Sequence, residues 1–125
     1  MLSQTQMVKA KKAIESLYIG VCSVTEHQKV VKANKSTGFQ DTPVYEDKPC
    51  RVSFQSIAQT EADPNGAAAL TQIIKLFISP DITIKTGSKI VVTQNGVTTE
   101  YKSSGVPAIY DTHQEIILEL FKGWS

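Results

Sequence analysis

The chain has 125 residues, of which 41% are hydrophobic and 20% are charged, and its formal net charge is +1. This length and composition predict a single domain over residues 1–125 with its own core, and they argue against wholesale disorder. The pI of about 7.7 argues against a general attraction to nucleic acid, since proteins that bind it usually carry a basic face. No apolar run approaches the roughly 20 residues of a membrane span, and no signal-peptide pattern occurs at the N-terminus. We therefore expect a cytosolic origin and no association with a membrane.

The first predicted element is an amphipathic helix over residues 3–18. Ser3 and Gln6 have the spacing of a capping box, and Gly20 is expected to end the helix. One helical stripe is apolar, with members Met7, Ala10, Ile14 and Leu17. The helix is expected either to pack on its own domain or to dock on a neighbouring subunit.

After the helix, about seven or eight short strands joined by turns are predicted. Such a run favours a mostly-β protein with a small antiparallel β-barrel over about residues 20–121. The predicted pieces, in chain order, are strands at 21–31, 50–57 and 71–79, a short strand and a longer one around a turn at Thr86-Gly87 within 80–92, a hairpin at Asn95-Gly96, a turn within 100–107, and a last strand region at 108–121 broken near Asp111. Phe54 and Phe77 lie in apolar strands and are predicted to be core residues.

Two long loops are predicted on this small barrel. Residues 32–48 are polar and contain Gly38 and Pro43, so they predict a loop with at most a short strand near Tyr45. Residues 58–70 contain the turn signal Pro64-Asn65-Gly66. Loops of this length are uncommon in small domains and tend to be functional.

No residue pattern in the chain predicts catalysis. His27 and His113 are the histidines, and neither stands in the close-spaced ligand pattern of a zinc site. Cys22 and Cys50 form no C-x-x-C motif, so they are predicted to be buried thiols unless their strands place them side by side for a disulfide. Asp111 and His113 lie two residues apart, and such a spacing is more typical of a hydrogen-bonded bend than of a catalytic acid–histidine pair. We expect no enzymatic activity, no cofactor and no metal.

The order of pieces resembles a family of phage proteins. The helix ends in "LYIG", then come "CSVTEH", "PCRVSF" and, most specifically, "KLFISPDITIKTGSKIVVTQNGVTTEY". This order is similar to that of the minor capsid or head–tail joining proteins of tailed phages and prophages of Gram-positive bacteria. In several related proteins an acidic residue follows the glycine of the "GSKI" turn, whereas Ser88 stands there in this chain.

The resemblance implies a structural component of the phage neck, the head-completion or stopper protein, found in the virion and in the host cytoplasm during assembly. Its implied partners are further copies of itself in a hexameric ring, the portal and adaptor proteins, the tail terminator or tail tube, and packaged DNA that passes without sequence-specific binding. The loop that reaches the channel in that family matches the second predicted loop, with candidate residues Gln59, Thr60, Glu61, Asp63, Pro64, Asn65 and Gly66.

The candidate interface residues are Trp124, Phe39 and Tyr45. Trp124 lies one residue from the chain end, a poor position for a core residue, and tryptophan is enriched at interface hot spots. The alternative for Trp124 is that it folds back on its own barrel. Two other functions stay open: a different neck or tail part, such as a tail terminator or a mainly helical adaptor, and a nucleic-acid-binding module of the OB type.

Overall fold

A computed structural model describes residues 3–31, 33–34, 36–58 and 70–124. Within them, one helix, α1 (Gln4–Glu15), precedes six strands: β1 (Gly20–Val31), β2 (Thr37–Ala58), β3 (Leu70–Ile78), β4 (Lys89–Gln94), β5 (Val97–Ile109) and β6 (Gln114–Leu120). The strands form a closed antiparallel barrel in the order β1-β2-β3-β6-β5-β4. The prediction of a mostly-β barrel with an N-terminal helix is confirmed, with six strands in the described residues rather than seven or eight.

The barrel interior is filled by one face of every strand. Because side chains alternate across a strand, β1 contributes Cys22 and Val24, and β3 contributes Leu76 and Ile78. The other buried apolar strand residues are Cys50, Val52, Ile90, Val92, Tyr101, Ile116 and Leu118. Phe54 and Phe77 are not among them, so their predicted core positions are wrong. Phe77 lies opposite the exposed Arg51 on the outer face.

The connection between β3 and β4, residues 79–88, covers one end of the barrel. Ile82 and Ile84 are buried there without forming a strand, so the short strand predicted in this region is wrong. The side chain of the buried Gln114 supplies hydrogen bonds to this connection in place of a partner strand. Its Nε2 donates to the carbonyl oxygen of Ser79 at 2.8 Å and to that of Ile82. At the following turn, the Ser88 hydroxyl donates to the Lys85 carbonyl oxygen at 2.7 Å.

The structure confirms the predicted role of Ser3 at the start of the helix and corrects that of Gly20. The capping box of Ser3 and Gln6 is present, but α1 ends at Glu15 and Gly20 begins β1 instead of ending the helix. Gly20 is buried against β4, and a Cβ there would lie 3.1 Å from the Thr93 carbonyl oxygen. This close approach, rather than helix capping, favours glycine at this position.

The first predicted long loop is wrong, because β2 begins at Thr37 and runs for 22 residues. Its first half pairs with β1, from Val31 opposite Thr37 to Cys22 opposite Lys48. Residues 37–48 face solvent along most of their length, so they show no apolar alternation to mark a strand. Pro43 is tolerated because this stretch of β2 has a strand partner on one side only.

The turn predicted within residues 100–107 is also wrong, because β5 runs through it. Gly105 has φ +72° and lies where the β5–β6 pairing shifts register between Ser104 and Ala108. Gly105 therefore marks a bulge in a continuous strand. The tight hairpin is confirmed, since Asn95 and Gly96 both have positive φ values, 54° and 77°.

The two cysteines are buried free thiols on neighbouring strands. Cys50 lies opposite Gly20, and Cys22 lies two positions further along β1. A hydrogen bond to Cys50, together with burial, raises the pKa of the Cys22 thiol. Cys22 is therefore a neutral thiol at physiological pH and packs as a small apolar residue.

Candidate assembly surface

The far halves of β1 and β2 form a two-stranded ribbon that continues past the barrel. Residues 26–31 pair with residues 37–42. β4 pairs with β1 only from Gly20 to Thr25, and β3 pairs with β2 only from Cys50 onward. Neither strand of the ribbon therefore has a second strand neighbour in the described part of the chain. We call residues 26–31 and 37–42 the ribbon.

One face of the ribbon carries a stack of three rings. The His27 imidazole lies between the Phe39 ring, with centroids 4.6 Å apart, and the Trp124 ring, with centroids 4.7 Å apart, and both pairs are within 11° of parallel. Phe121 meets Trp124 edge-on at 5.0 Å. The stack places the C-terminal tail on the ribbon, and 63% of Phe39 stays exposed. His27, Phe39, Asp41, Phe121 and Trp124 are called the aromatic cluster below.

Charges reinforce the aromatic cluster. Asp41 lies opposite His27 in the ribbon, and its Oδ1 is 2.8 Å from the imidazole Nδ1. The hydrogen bond to His27 is the main cause that lowers the pKa of Asp41, and a hydrogen bond from Trp124 also lowers it. On the other side of the tail, the Lys89 ammonium lies 4.8 Å from the Phe121 ring centroid. The C-terminal segment that carries Phe121 and Trp124 is thus held by ring stacking and by the Lys89 ammonium over the Phe121 ring.

The structure brings together two of the three predicted interface residues. Phe39 and Trp124 meet through His27, which sequence analysis considered only as a metal ligand. Tyr45 lies apart from them: it packs against the core, and its hydroxyl accepts a hydrogen bond from the Thr83 amide at 3.1 Å. The hairpin register could have identified His27, because a short turn near residue 34 places it opposite Asp41.

The predicted channel-loop residues lie outside the described residues. They are Gln59, Thr60, Glu61, Asp63, Pro64, Asn65 and Gly66. Within the described ranges, no group of three or more His, Cys, Asp or Glu side chains is arranged to hold a metal ion. The helix that the structure describes is too short and too polar to cross a membrane.

Comparisons with known proteins give one structural likeness. No protein-family model and no curated protein matches this chain. A solved structure of the phage-like element PBSX protein xkdH from Bacillus subtilis superposes with a TM-score of 0.46 at 15% identity, covering 80% of this chain and 91% of that one. That protein comes from a phage-like element. At this identity and TM-score the likeness assigns no function to the present chain.

Proposed function

We propose that this chain is a structural subunit of a tailed-phage neck, the head-completion or stopper protein. In this role, copies form a ring between the portal–adaptor complex and the tail, close the DNA channel and present the surface to which the tail attaches. The sequence resemblance through residues 75–101 supports the neck, and a rigid barrel with a projecting ribbon suits a subunit that works through shape.

The ribbon is the observation that carries the proposal. A two-stranded ribbon exposes backbone N–H and C=O groups along both edges, and soluble proteins usually block such edges with proline, charge or a covering loop. Along residues 37–42 of β2 no proline occurs and Asp41 is the one charged residue, and the exposed Phe39 lies on the ribbon face. An edge and an aromatic anchor of this kind fit a protein partner that adds its own strand or packs on the ring stack.

Within the neck, the fold favours the stopper position over the adaptor position. An adaptor is expected to be mainly helical, whereas the described residues contain one helix of 12 residues beside six strands. A tail terminator stays the alternative neck part. In a ring, contacts between unlike surfaces of neighbouring subunits can close on themselves, and the free edges of the ribbon are candidates for such contacts.

The test is removal of the chain from its phage, followed by electron microscopy of the lysate. We expect full-length free tails beside separate heads that have lost their DNA, and joined particles when the wild-type chain is supplied again. Normal joined particles without the chain would exclude the neck function. DNA-filled heads that fail to join only because their tails are defective would favour the tail terminator.

Complementation also tests the ribbon. A chain with both Phe39→Ala and Trp124→Ala is expected to restore at least tenfold fewer joined particles than the wild type. The matched control is Val97→Ala, which shortens an exposed apolar side chain elsewhere on the barrel. Equal complementation by both variants would show that the aromatic cluster is not an assembly surface.

A second candidate function rests on the exposed face of the ring stack. Single-stranded nucleic acids bind OB-type barrels by stacking bases on exposed aromatic rings, and Phe39 offers such a ring. The Asp41 carboxylate beside the stack opposes binding of a phosphate backbone. A gel shift with single-stranded DNA at physiological salt separates the two functions, because the neck function predicts no shift.

A further inference from the structure

Helix α1 is only loosely packed on the barrel. It carries an apolar stripe, yet none of its 12 residues is buried. One ion pair, between the Lys11 ammonium and the Asp81 carboxylate, ties it to the connection that covers the barrel end. Leu17, just after the helix, keeps 57% of its surface exposed. The apolar stripe is therefore only partly covered, since Met7, Ala10 and Ile14 are half-buried and Leu17 is exposed.

A groove of about 360 Å³ lies between the end of α1 and the outer face of the barrel. Its lining is mostly apolar, and the residues that line it are Ile14, Leu17, Tyr18, Arg51, Ser53, Phe77 and His113. Arg51 is exposed and makes no ion pair with any residue that the structure describes. The Tyr18 hydroxyl is buried without a hydrogen-bond partner among the described residues, and burial is the main cause that raises the pKa of Tyr18. The groove thus offers apolar contact and one unpaired cation, Arg51.

Residues 106–111, which we call the corner, form an exposed segment rather than a groove. They are the last four residues of β5 and the first two of its connection to β6, and they have the sequence "VPAIYD". Val106 is 90% exposed, and Ile109 and Tyr110 are also exposed. The Asp111 carboxylate is exposed and makes no ion pair with the described residues. The corner is therefore an exposed apolar segment that ends in an unpaired anion.

The corner and the groove are neighbours on the surface. The Tyr110 ring stacks on the His113 ring with centroids 4.8 Å apart. His113 lines the groove, and its ring lies 6.2 Å from that of Phe77. An apolar groove with an unpaired cation therefore adjoins an exposed apolar segment with an unpaired anion, and His113 contacts both.

We propose that a second copy of this chain covers the groove in a two-fold symmetric dimer. Each subunit inserts its corner into the groove of the other, so that Asp111 of one copy meets Arg51 of its partner. Because the two complementary surfaces lie side by side, one two-fold rotation forms both contacts at once, and the interface is self-complementary. The contact covers apolar surface on α1 and on the corner that would otherwise face water.

The contacting segments are short, so the dimer is weaker than a standard-size interface would give, with a dissociation constant of roughly micromolar or above. The groove and the corner share no residue with the ribbon. A two-fold pair cannot lie within a ring whose copies all point the same way, so the dimer is a form of the free chain, and its test does not depend on that of the neck function.

Sedimentation equilibrium of the full chain over a range of concentrations tests the dimer. We expect a monomer–dimer equilibrium in the wild type, and Arg51→Glu or Asp111→Arg alone is expected to raise the dissociation constant at least about tenfold, the size of effect that like charges at a contact produce. The double variant restores an opposite-charge pair and is expected to recover most of the affinity. Lys9→Glu, on an exposed position of α1, makes the same charge change as Arg51→Glu and is expected to leave the dimer unchanged.

Thermal melting of each variant shows whether its barrel is intact, and Leu17→Ser tests the apolar side without a change of charge. A wild type that stays monomeric up to millimolar concentration would overturn the proposal and would leave the groove to a different protein. A dimer that neither charge reversal weakens would also overturn it, because the contact would then lie elsewhere. Loss in each single variant with recovery in the double variant supports it.

Discussion

The barrel and the ribbon are built from the same two strands, and they differ in how many neighbours each strand has. In the barrel, β1 lies between β2 and β4, and its inward residues Cys22 and Val24 are buried. In the ribbon the same strand has β2 alone, and Val31 is 74% exposed. In the closed barrel one face of the strand is buried, so its apolar and polar residues alternate. In the ribbon both faces meet solvent, so the sequence need not alternate. Stability therefore resides in the barrel, while the ribbon offers surface.

The largest expected effect tests the barrel side of this comparison. Leu76→Ala removes a side chain with no exposed surface and is expected to lower the free energy of unfolding by about 2–5 kcal/mol, because it leaves a cavity in a closed core. Urea denaturation measures it. Ile117→Ala, on the outer face of β6, is the control and is expected to cost about 1 kcal/mol or less. Equal losses would mean that the barrel interior is not packed as described.

The next effect concerns the covered end of the barrel. Gln114→Leu keeps the size of the side chain but removes the donor to two carbonyl oxygens, those of Ser79 and Ile82. We expect a loss of about 1–3 kcal/mol in the free energy of unfolding, because buried acceptors are left unpaired. Gln55→Leu, at an exposed position of β2, controls for the change of residue type. A neutral Gln114→Leu would indicate that water reaches these carbonyl groups.

A smaller effect is expected where the C-terminal segment that carries Trp124 meets the ribbon. Trp124 is the one tryptophan of the chain, so its fluorescence reports this contact. Ring pairs of this kind contribute about 0.5–1.5 kcal/mol, and we expect the Trp124 signal to change at a lower urea concentration than the circular dichroism of the barrel. His27→Ala is expected to abolish the early change. Coincident transitions in the wild type would show that ribbon, tail and barrel unfold as one unit.

The smallest effect is the pH dependence of the aromatic cluster. Hydrogen bonding to His27 lowers the pKa of Asp41 in the folded chain, so the stabilisation is present above the ordinary carboxyl range and is lost as the pH falls through the lowered pKa. NMR titration of the Asp41 carboxyl measures this. His27→Gln is expected to return the pKa of Asp41 toward its ordinary range. Asp81, whose pKa is lowered mainly by Lys11, is the internal control and is expected not to respond.

Sequence reasoning succeeded where one local rule decided the structure. The capping box at Ser3 and Gln6 and the positive φ values at Asn95 and Gly96 each depend on a few adjacent residues. It failed where the structure of a segment depends on whether a distant strand pairs with it. Residues 37–48 have the composition of a loop, but pairing with β1 makes them strand. Residues 82–84 alternate like a strand, but no partner strand lies beside them in the described chain.

The candidate assembly surface likewise contains residues that the sequence pointed to and residues that only the structure identified. Trp124 stood out because its position near the chain end is a poor one for a core residue and because tryptophan is enriched at interface hot spots, but no local rule joins residue 124 to residue 39. His27 was missed because its role depends on a hairpin register set by the turn near residue 34. The corner was hidden because Gly105 and Pro107 indicated a turn, whereas the bulge leaves Val106 exposed on a continuous strand.

The sequence by itself determined the apolar alternation of the core strands, the capped helix, the tight hairpin and, through them, a mostly-β barrel with one N-terminal helix. Those features depend on backbone preferences and on spacing along the chain. Only the tertiary structure decided that α1 stays largely unburied, that a ribbon extends past the barrel, and that Trp124 stacks on His27. The physical reason is that each of these depends on which distant segment lies alongside, and closing the barrel sets those neighbours.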